Sequence, residues 1–241
     1  MSKFKIMLIL AFTLVTIQVQ AADNISLKTP HGASVTVVAN FPPGPGPFPT
    51  VILGPGTGTM KQKVNGVVEN ALIRHEIAVF RFEWAYYVKD KNGKPSDFDN
   101  TPEIEDFAAV VALAKVDKRV DANAIVVGGK SRGSRIAWKI LRNDSSLLGV
   151  LQLTPVCTKD GFTVDQLYPE LQLESRPSLW ISGNADPACN NKTLYNFLSL
   201  AGGPARIAIL RGDHGLALEN TSNIAAELAA DFVLELTKHG N

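Results

Sequence analysis

Short apolar segments alternate with longer segments of helical periodicity along most of the chain. Most of the apolar segments lack regular polar alternation, which is typical of parallel strands buried on both faces. The predicted strands are residues 51–53, 78–82, 125–127, 150–153, 179–181 and 206–210, and the predicted helices are residues 61–76, 102–116, 132–142, 192–200 and 224–238. This alternation predicts an α/β protein with a mostly parallel sheet and helices on both faces.

An antiparallel hairpin is predicted before the alternating pattern begins. Residues 25–28 and 34–40 are rich in β-forming side chains, and Pro30-His31-Gly32 between them has the composition of a turn. The Pro- and Gly-rich residues 41–48 are interpreted as a long turn, because the chain has no internal repeat or low-complexity linker that would separate two domains. We therefore expect one domain over residues 22–241.

Residues 1–21 are interpreted as a secretory signal peptide that does not belong to the fold. Lys3 and Lys5 precede an apolar run over residues 6–17, and the small residues near Ala21 fit a cleavage site. The apolar run is short for a membrane-spanning helix, so no stable membrane anchor is expected after cleavage. An uncleaved N-terminal anchor is the alternative. The expected location is secreted or periplasmic.

The charge balance excludes one class of partner. The chain carries 24 Lys and Arg against 23 Asp and Glu, so its net charge gives no sign of the basic surface that nucleic-acid binding normally requires. A hydrophobic content of 45% is ordinary for a compact protein. A small molecule is the expected partner, and the sequence leaves the oligomeric state open.

Histidines and cysteines are few, and no group of them has the spacing of a metal site. The four histidines are scattered and no Cys-x-x-Cys pair occurs, so neither a structural metal nor a cofactor is expected. Cys157 and Cys189 each follow a predicted strand, and in an oxidising compartment they could form one disulfide. Such a disulfide would tether the loop that contains Asp186. Two separate buried cysteines are the alternative.

The most informative motif is Gly129-Lys130-Ser131-Arg132-Gly133. It has Gly-x-Ser-x-Gly spacing, follows a predicted strand directly and opens a predicted helix, as a nucleophile elbow does. Small residues on both sides of the serine are needed because the turn is tight. Ser131 is therefore a candidate nucleophile, and a plain glycine turn with Ser131 as a helix cap is the alternative. A P-loop is excluded because Ala124 stands where that motif needs glycine.

A nucleophilic serine needs a base and an acid that orients the base. Asp186 follows the predicted strand 179–181, and His214 follows the strand 206–210, so both are expected at the same edge of the sheet as Ser131. Asp186 is the predicted orienting acid and His214 the predicted base. The rival acids are Asp213, Asp160 and Asp165, and the less well placed histidines are His31, His75 and His239.

Two backbone amides are expected to bind the developing oxyanion. One is the amide of Arg132, and the other is the amide of Gly56 or Thr57 in the glycine-rich loop at residues 54–58.

The side chain of Arg132 starts at the mouth of this predicted site. We expect it to pair either with an internal carboxylate such as Glu83 or with the carboxylate or phosphate of a substrate. Trp84, Tyr86 and Tyr87 are expected to form an apolar wall beside it. A solvent-pointing arginine is the alternative.

The order Gly-x-Ser-x-Gly, Gly-x-x-Asp and Asp-His-Gly, with Arg81-Phe82 before Trp84-Ala85-Tyr86-Tyr87, resembles the small α/β-hydrolases of the dienelactone-hydrolase-like kind. The Gly-Gly-Lys-Ser elbow resembles the testis-expressed-type branch, and the resemblance covers about residues 50–238. It implies a single-domain α/β-hydrolase fold and a serine hydrolase that forms an acyl-enzyme on Ser131, with a small ester or other acyl compound as substrate. The chain departs from the family pattern where Gly54-Pro55-Gly56 replaces the usual His-Gly and where Arg132 follows the nucleophile. A hydrolase-like binding protein without turnover is the alternative function.

Overall fold

A computed structural model describes residues 22–96, 99–158 and 161–238. The proposed signal peptide, Asp160 and His239 lie outside these ranges. In chain order the strands are β1 Asp23–Lys28, β2 Ser34–Asn40, β3 Phe48–Gly54, β4 Ala78–Glu83, β5 Val120–Ser131, β6 Gly149–Pro155, β7 Ser178–Gly183 and β8 Ala205–Leu210. The helices are α1 Lys63–Arg74, α2 Ala85–Lys89, α3 Thr101–Val116, α4 Arg132–Asn143, α5 Val164–Leu167, α6 Asn191–Leu198 and α7 Glu219–Lys238, with one 3-10 turn at Leu171–Leu173.

These strands form one sheet in the order β1-β2-β4-β3-β5-β6-β7-β8. The pairs β1/β2 and β2/β4 are antiparallel, and the other neighbours are parallel. The predicted hairpin is confirmed, because Asp23 lies opposite Ala39 and Lys28 lies opposite Ser34. The carboxyl ends of β5, β7 and β8 consequently lie along one edge of the sheet, which is where the candidate site residues follow in sequence.

Both faces of the sheet are covered by helices. Helices α1 and α7 pack against each other on one face, above Val51 and Leu53 of β3. Ile52 of the same strand points to the opposite core, to which α3, α4 and α6 contribute. A strand buried on both sides needs consecutive apolar residues, which explains why the predicted strands lack polar alternation.

Several boundaries differ from those predicted from the sequence. β5 extends over Val120–Ser131, well beyond the short apolar segment at its centre, because Val120 pairs with Phe48 of β3 and because Lys130 and Ser131 pair with β6. Helix α7 begins at Glu219, five residues earlier than its apolar periodicity predicts. The short helix α2 was not predicted, because five residues are too few to establish a helical period. Among the helices of the described ranges, none has both the length and the hydrophobicity that crossing a bilayer requires.

A buried carboxylate joins the end of α4 to the start of β7. Glu174 is 4% exposed and accepts hydrogen bonds from Arg176 Nε and Nη2, both at 2.7 Å, and from Arg142 Nη1 at 3.2 Å. Arg176 also donates to the carbonyl of Leu141 in α4 at 2.7 Å. Burial alone would raise the pKa of Glu174, but these bonds outweigh it and lower the pKa to about 2.

We expect Glu174→Gln to reduce the stability of the fold at neutral pH and to remove the part of the acid sensitivity that this carboxylate contributes. The folded pKa of about 2 lies below the usual 4.5. The stabilising contribution is therefore fully present above pH 4.5, and it is lost as the pH falls toward 2. A shift of this size corresponds to at most about 3.5 kcal/mol. Urea unfolding at pH 7 and pH 3 measures the difference in the free energy of unfolding.

Glu170→Gln is the matched control, because Glu170 also pairs with Arg142 but is 58% exposed. Its effect should stay below about 1 kcal/mol at both pH values. A Glu174→Gln deficit of the same size at pH 3 and pH 7 would contradict the assignment.

Candidate active site

Ser131 occupies the junction between β5 and α4 in a strained backbone conformation. Its φ is 52° and its ψ is −118°, which is uncommon for a residue with a β-carbon. Such strain persists only where the surrounding structure enforces it. The sharp turn places the Ser131 side chain beyond the carboxyl end of β5, as the Gly-x-Ser-x-Gly spacing predicts.

Gly129 and Gly133 make this turn sterically possible. A β-carbon on Gly129 would lie 2.1 Å from the carbonyl oxygen of Gly133. One on Gly133 would lie 2.4 Å from the carbonyl oxygen of Pro55 and 2.7 Å from that of Gly54. The contacting atoms are backbone atoms, which cannot rotate away. The first turn of α4 therefore packs directly against the loop that follows β3.

The structure brings Ser131, His214 and Asp186 together in one hydrogen-bonded row. His214 Nε2 lies 2.8 Å from Ser131 Oγ, and His214 Nδ1 lies 2.9 Å from both Asp186 carboxylate oxygens. The Asp186 side chain is fully buried, whereas His214 is partly exposed. With Nδ1 protonated and donating to Asp186, Nε2 is left to accept the Ser131 hydroxyl proton.

The loops that carry Asp186 and His214 are bonded to each other. Ala185 N donates to the carbonyl of Gly212 at 2.9 Å, and Gly212 N donates to Asn184 Oδ1 at 2.9 Å. A β-carbon on Gly183 would lie 2.4 Å from the carbonyl oxygen of Gly212, so glycine is needed for this approach. The acid and the imidazole are therefore held in one unit.

Cys157 and Cys189 are joined by a disulfide with a Cα–Cα distance of 4.5 Å. Cys157 follows β6, and Cys189 follows the turn that holds Asp186. The same two segments share a backbone hydrogen bond from Cys157 N to the carbonyl of Ala188 at 2.9 Å. The Asp186 loop is thereby attached to the end of β6 as well as to the His214 loop.

The rival acids and histidines have other contacts. Asp213 Oδ1 accepts from Gly215 N at 2.8 Å, within its own loop, and Asp165 lies exposed in the short helix α5. His31 pairs with Asp106 and His75 pairs with Glu227. The remaining rivals fall outside the described residues.

The glycine loop lies next to Ser131. A β-carbon on Gly56 would lie 3.5 Å from Ser131 Cβ. The carbonyl of Gly56 accepts from Trp84 Nε1 at 2.8 Å, and the carbonyl of Thr57 accepts from the Tyr86 hydroxyl at 2.6 Å. Within the described part of the chain, the amides of these two loop residues donate to no backbone acceptor. They remain candidates for oxyanion donors together with the Arg132 amide.

Of the predicted wall residues Trp84, Tyr86 and Tyr87, the first does not line the site, whereas Tyr86 and Tyr87 are partly exposed. Trp84 is fully buried, and its indole holds the Gly56 carbonyl, so it does not face a substrate. Glu83 is buried and accepts from Thr59 Oγ1 at 2.6 Å and Met60 N at 2.9 Å. These side chains support the glycine loop from behind. Burial raises the pKa of the Tyr86 hydroxyl, which keeps it a neutral donor to that loop.

Arg132 pairs with an internal carboxylate, one of the two predicted alternatives, but that carboxylate is not Glu83, the residue suggested for it. The Arg132 side chain is 10% exposed, and its Nη2 lies 3.1 Å from Glu103 Oε1 on α3 and 3.1 Å from the carbonyl of Ser96. An internal carboxylate does hold the guanidinium, but it comes from a different helix. The arginine thus fixes the first turn of α4 to the start of α3, and recognition of an anionic substrate loses its support.

Two residues beside the site were not predicted. The Gln62 carboxamide lies 3.3 Å from the β-carbon position of Gly56, and its Oε1 is buried without a hydrogen-bond partner in the described structure. Lys130 is buried inside the elbow, where burial lowers its pKa against the opposing effect of Asp186 and Asp213. Any residue is allowed at position 130 of the Gly-x-Ser-x-Gly motif, and Gln62 belongs to no recognised motif. The sequence therefore gave no signal for either residue.

No group of three or more His, Cys, Asp or Glu side chains within the described ranges is arranged to hold a metal ion. The arrangement at Ser131 can instead support proton transfer from a hydroxyl to an imidazole, next to backbone amides that could bind an oxyanion.

Residues 48–238 match the family described as Alpha/beta hydrolase domain. Over 198 residues the chain is 22% identical to the quorum-quenching protein AidA of Acinetobacter baumannii. That alignment covers 79% of this chain but 63% of AidA, so the chain spans under two thirds of the length of this curated relative.

Solved structures share the architecture. An alpha-beta serine hydrolase homologue from Coxiella burnetii superposes with a TM-score of 0.72 at 19% identity, covering 89% of this chain and 99% of that one. The thermophilic carboxylesterase EstE1 from a metagenomic library gives a TM-score of 0.71 at 16% identity, covering 92% of this chain and 91% of that one. Together with the sheet order, these similarities confirm the predicted fold class.

We expect Gly133→Ala to destabilise the fold and to displace Ser131, because its β-carbon would overlap two backbone carbonyls. Overpacking of this kind costs about 1–3 kcal/mol. Gly66→Ala is the matched control, because Gly66 lies within α1 with nothing within 4 Å of its β-carbon position. That variant should be neutral or stabilising by about 0.5–1 kcal/mol. Thermal unfolding of both variants measures the contrast, and equal effects would contradict the steric argument.

Proposed function

The chain belongs to the alpha/beta hydrolase family, and on that premise we propose that it is a serine hydrolase that cleaves an ester or other small acyl substrate through an acyl-enzyme on Ser131. The observation that carries the proposal is the continuous row from Ser131 Oγ through His214 to the Asp186 carboxylate. A serine merely capping a helix would not need a histidine at 2.8 Å that is itself held by a buried acid.

In the proposed reaction, His214 Nε2 takes the hydroxyl proton while Ser131 Oγ attacks the carbonyl carbon of the substrate. The carbonyl oxygen becomes an oxyanion that accepts hydrogen bonds from the amides of Arg132 and of Gly56 or Thr57. The intermediate then collapses, and His214 returns the proton to the leaving group. Water hydrolyses the acyl-enzyme by the same proton transfers in a second cycle. Asp186 fixes the imidazole and stabilises its protonated form.

We also propose a family branch and a cellular location for this protein. The elbow Gly129-Lys130-Ser131 supports the dienelactone-hydrolase-like, testis-expressed-type branch. The signal-like residues 1–21 support export to the periplasm or the medium, and the Cys157–Cys189 disulfide is compatible with an oxidising compartment.

A fluorophosphonate probe tests the nucleophile. The probe should phosphonylate Ser131 Oγ with loss of fluoride, and labelling should disappear in Ser131→Ala. His214→Ala should slow labelling by about 10²–10⁴-fold, because it removes the general base. Ser146→Ala, at an exposed turn serine, is the control and should label like the wild type. A folded wild-type protein that stays unlabelled would favour the binding protein without turnover.

Paired acid variants test the orienting residue. Asp186→Asn should lower kcat on the order of 10⁴-fold by imposing the wrong imidazole tautomer. Asp213→Asn changes an adjacent acid that bonds only within its own loop, so its kcat should stay near the wild-type value. Steady-state hydrolysis of a p-nitrophenyl ester measures both. The reverse ranking would transfer the role to Asp213.

Arg132→Met tests whether the guanidinium is structural. Removing it leaves the buried Glu103 carboxylate without its cation, which should cost about 3–5 kcal/mol of stability. Its kcat/KM should fall by the same factor for an anionic ester and a matched neutral ester. Arg206→Met is the control, because Arg206 and its partner Glu235 are about half exposed and should contribute under about 1 kcal/mol. A selective loss for the anionic ester would restore the substrate-recognition role.

A further inference from the structure

A cavity lies beside Tyr86, and neither Ser131 nor His214 lines it. Its volume is about 530 Å³, within the usual range for small-molecule sites. We call it the hairpin cavity, because the β1–β2 turn closes it against α2, the start of α3 and residues 94–96. Its walls are formed by Lys28, His31, Gly32, Ala33, Ser34, Ala85, Tyr86, Val88, Lys89, Lys94, Ser96, Pro102, Glu103 and Asp106.

Side chains already described separate the hairpin cavity from Ser131. The Tyr86 hydroxyl is bonded to the Thr57 carbonyl, and Arg132 is bonded to Ser96 and Glu103. Neither Ser131 nor His214 is among the lining residues. A molecule in this cavity would therefore contact Tyr86 and Glu103, which bond to the glycine loop and to Arg132, but not Ser131 itself.

The two carboxylates in the lining are engaged internally. Glu103 accepts from Ser96 N at 2.8 Å, from Ser96 Oγ and from Arg132. Asp106 accepts from His31 Nε2 at 2.9 Å and from Ala85 N at 2.9 Å. Both acids are almost completely buried. They are poorly placed to hold a cationic ligand.

The charges that a ligand could reach are positive. Lys28, Lys89 and Lys94 are exposed around the cavity, and none of the three has a side-chain hydrogen bond or ion pair within the described part of the chain. They come from three separate segments: the end of β1, the end of α2 and the loop that follows. No acid of the lining neutralises them.

The remaining lining is largely apolar. Ala33, Ala85, Val88 and Pro102 supply aliphatic surface, and Tyr86 supplies an aromatic face. A site with an apolar interior and cations at its rim complements a molecule that has a hydrocarbon body and one anionic end.

We propose that the hairpin cavity is a binding site for an amphipathic carboxylate, with the hydrocarbon part inside and the carboxylate among the three lysines. This site is separate from the proposed hydrolase site and does not depend on its activity.

The test uses decanoate as the probe and isothermal titration calorimetry on the Ser131→Ala protein, so that turnover cannot interfere. Decanoate should bind with one-to-one stoichiometry. Neutral decanol and cationic decyltrimethylammonium should bind at least tenfold more weakly.

Two cavity variants locate the bound probe. The triple variant Lys28→Gln, Lys89→Gln, Lys94→Gln should weaken decanoate binding at least tenfold. Its matched control is Lys118→Gln, Lys192→Gln, Lys238→Gln, which removes the same net charge from lysines outside the cavity lining and should bind like the parent. Val88→Trp should also weaken binding, because it fills the cavity without changing charge.

Absence of decanoate binding would overturn the proposal, as would affinity unchanged by both cavity variants. Wild-type protein labelled by a fluorophosphonate at the proposed nucleophile should still bind decanoate. Loss of binding on labelling would place the probe at Ser131 and would also overturn the proposal. Failure of the protein to label or to hydrolyse esters would leave the calorimetric result on Ser131→Ala intact.

Discussion

The close approach of two backbones at the end of the central strands determines most of the site geometry. The first turn of α4 lies so near the loop after β3 that Gly133 has room for no β-carbon beside the carbonyls of Gly54 and Pro55. Ser131 adopts positive φ at that junction. The same contact brings Gly56 beside the nucleophile candidate, so one steric constraint positions both the hydroxyl and the amides that could serve it.

Polar side chains around the glycine loop keep this contact in place. Trp84 and Tyr86 hold the carbonyls of the glycine loop, and Glu83 holds its continuation. On the other side, Arg132 joins α4 to Glu103 of α3. Since a buried polar group without a partner is costly, these bonds favour one arrangement of the loop. Trp84 and Glu83, which the sequence suggested as substrate-binding residues, therefore support the glycine loop.

Local pattern was sufficient to predict the order of strands and helices and the positions of Ser131, Asp186 and His214. These residues are predictable because parallel strands end at one edge of a sheet, so residues that follow different strands become neighbours without any knowledge of side-chain packing. The partner of Arg132 was not predictable in this way, because Glu103 lies 29 positions away on another helix. Gln62 and helix α2 were missed for a related reason. The position of Gln62 beside Gly56 depends on tertiary packing. Helix α2 has five residues, too few to show a helical periodicity in the sequence.

Hydrogen bonds between the Asp186 loop and the His214 loop make these two residues one structural unit, separate from Ser131. These bonds join the two backbones directly and through the Asn184 side chain. Ser131 belongs to a second unit, on the β5–α4 junction. Small relative displacements of the two units would change the Ser131–His214 distance long before the His214–Asp186 distance. The Cys157–Cys189 disulfide connects the two units. Cys157 follows β6, which pairs with the strand that ends at Ser131, and Cys189 lies in the loop that contains Asp186. Besides stabilising the fold, the disulfide therefore helps to hold the Asp186 and His214 loops in position relative to Ser131.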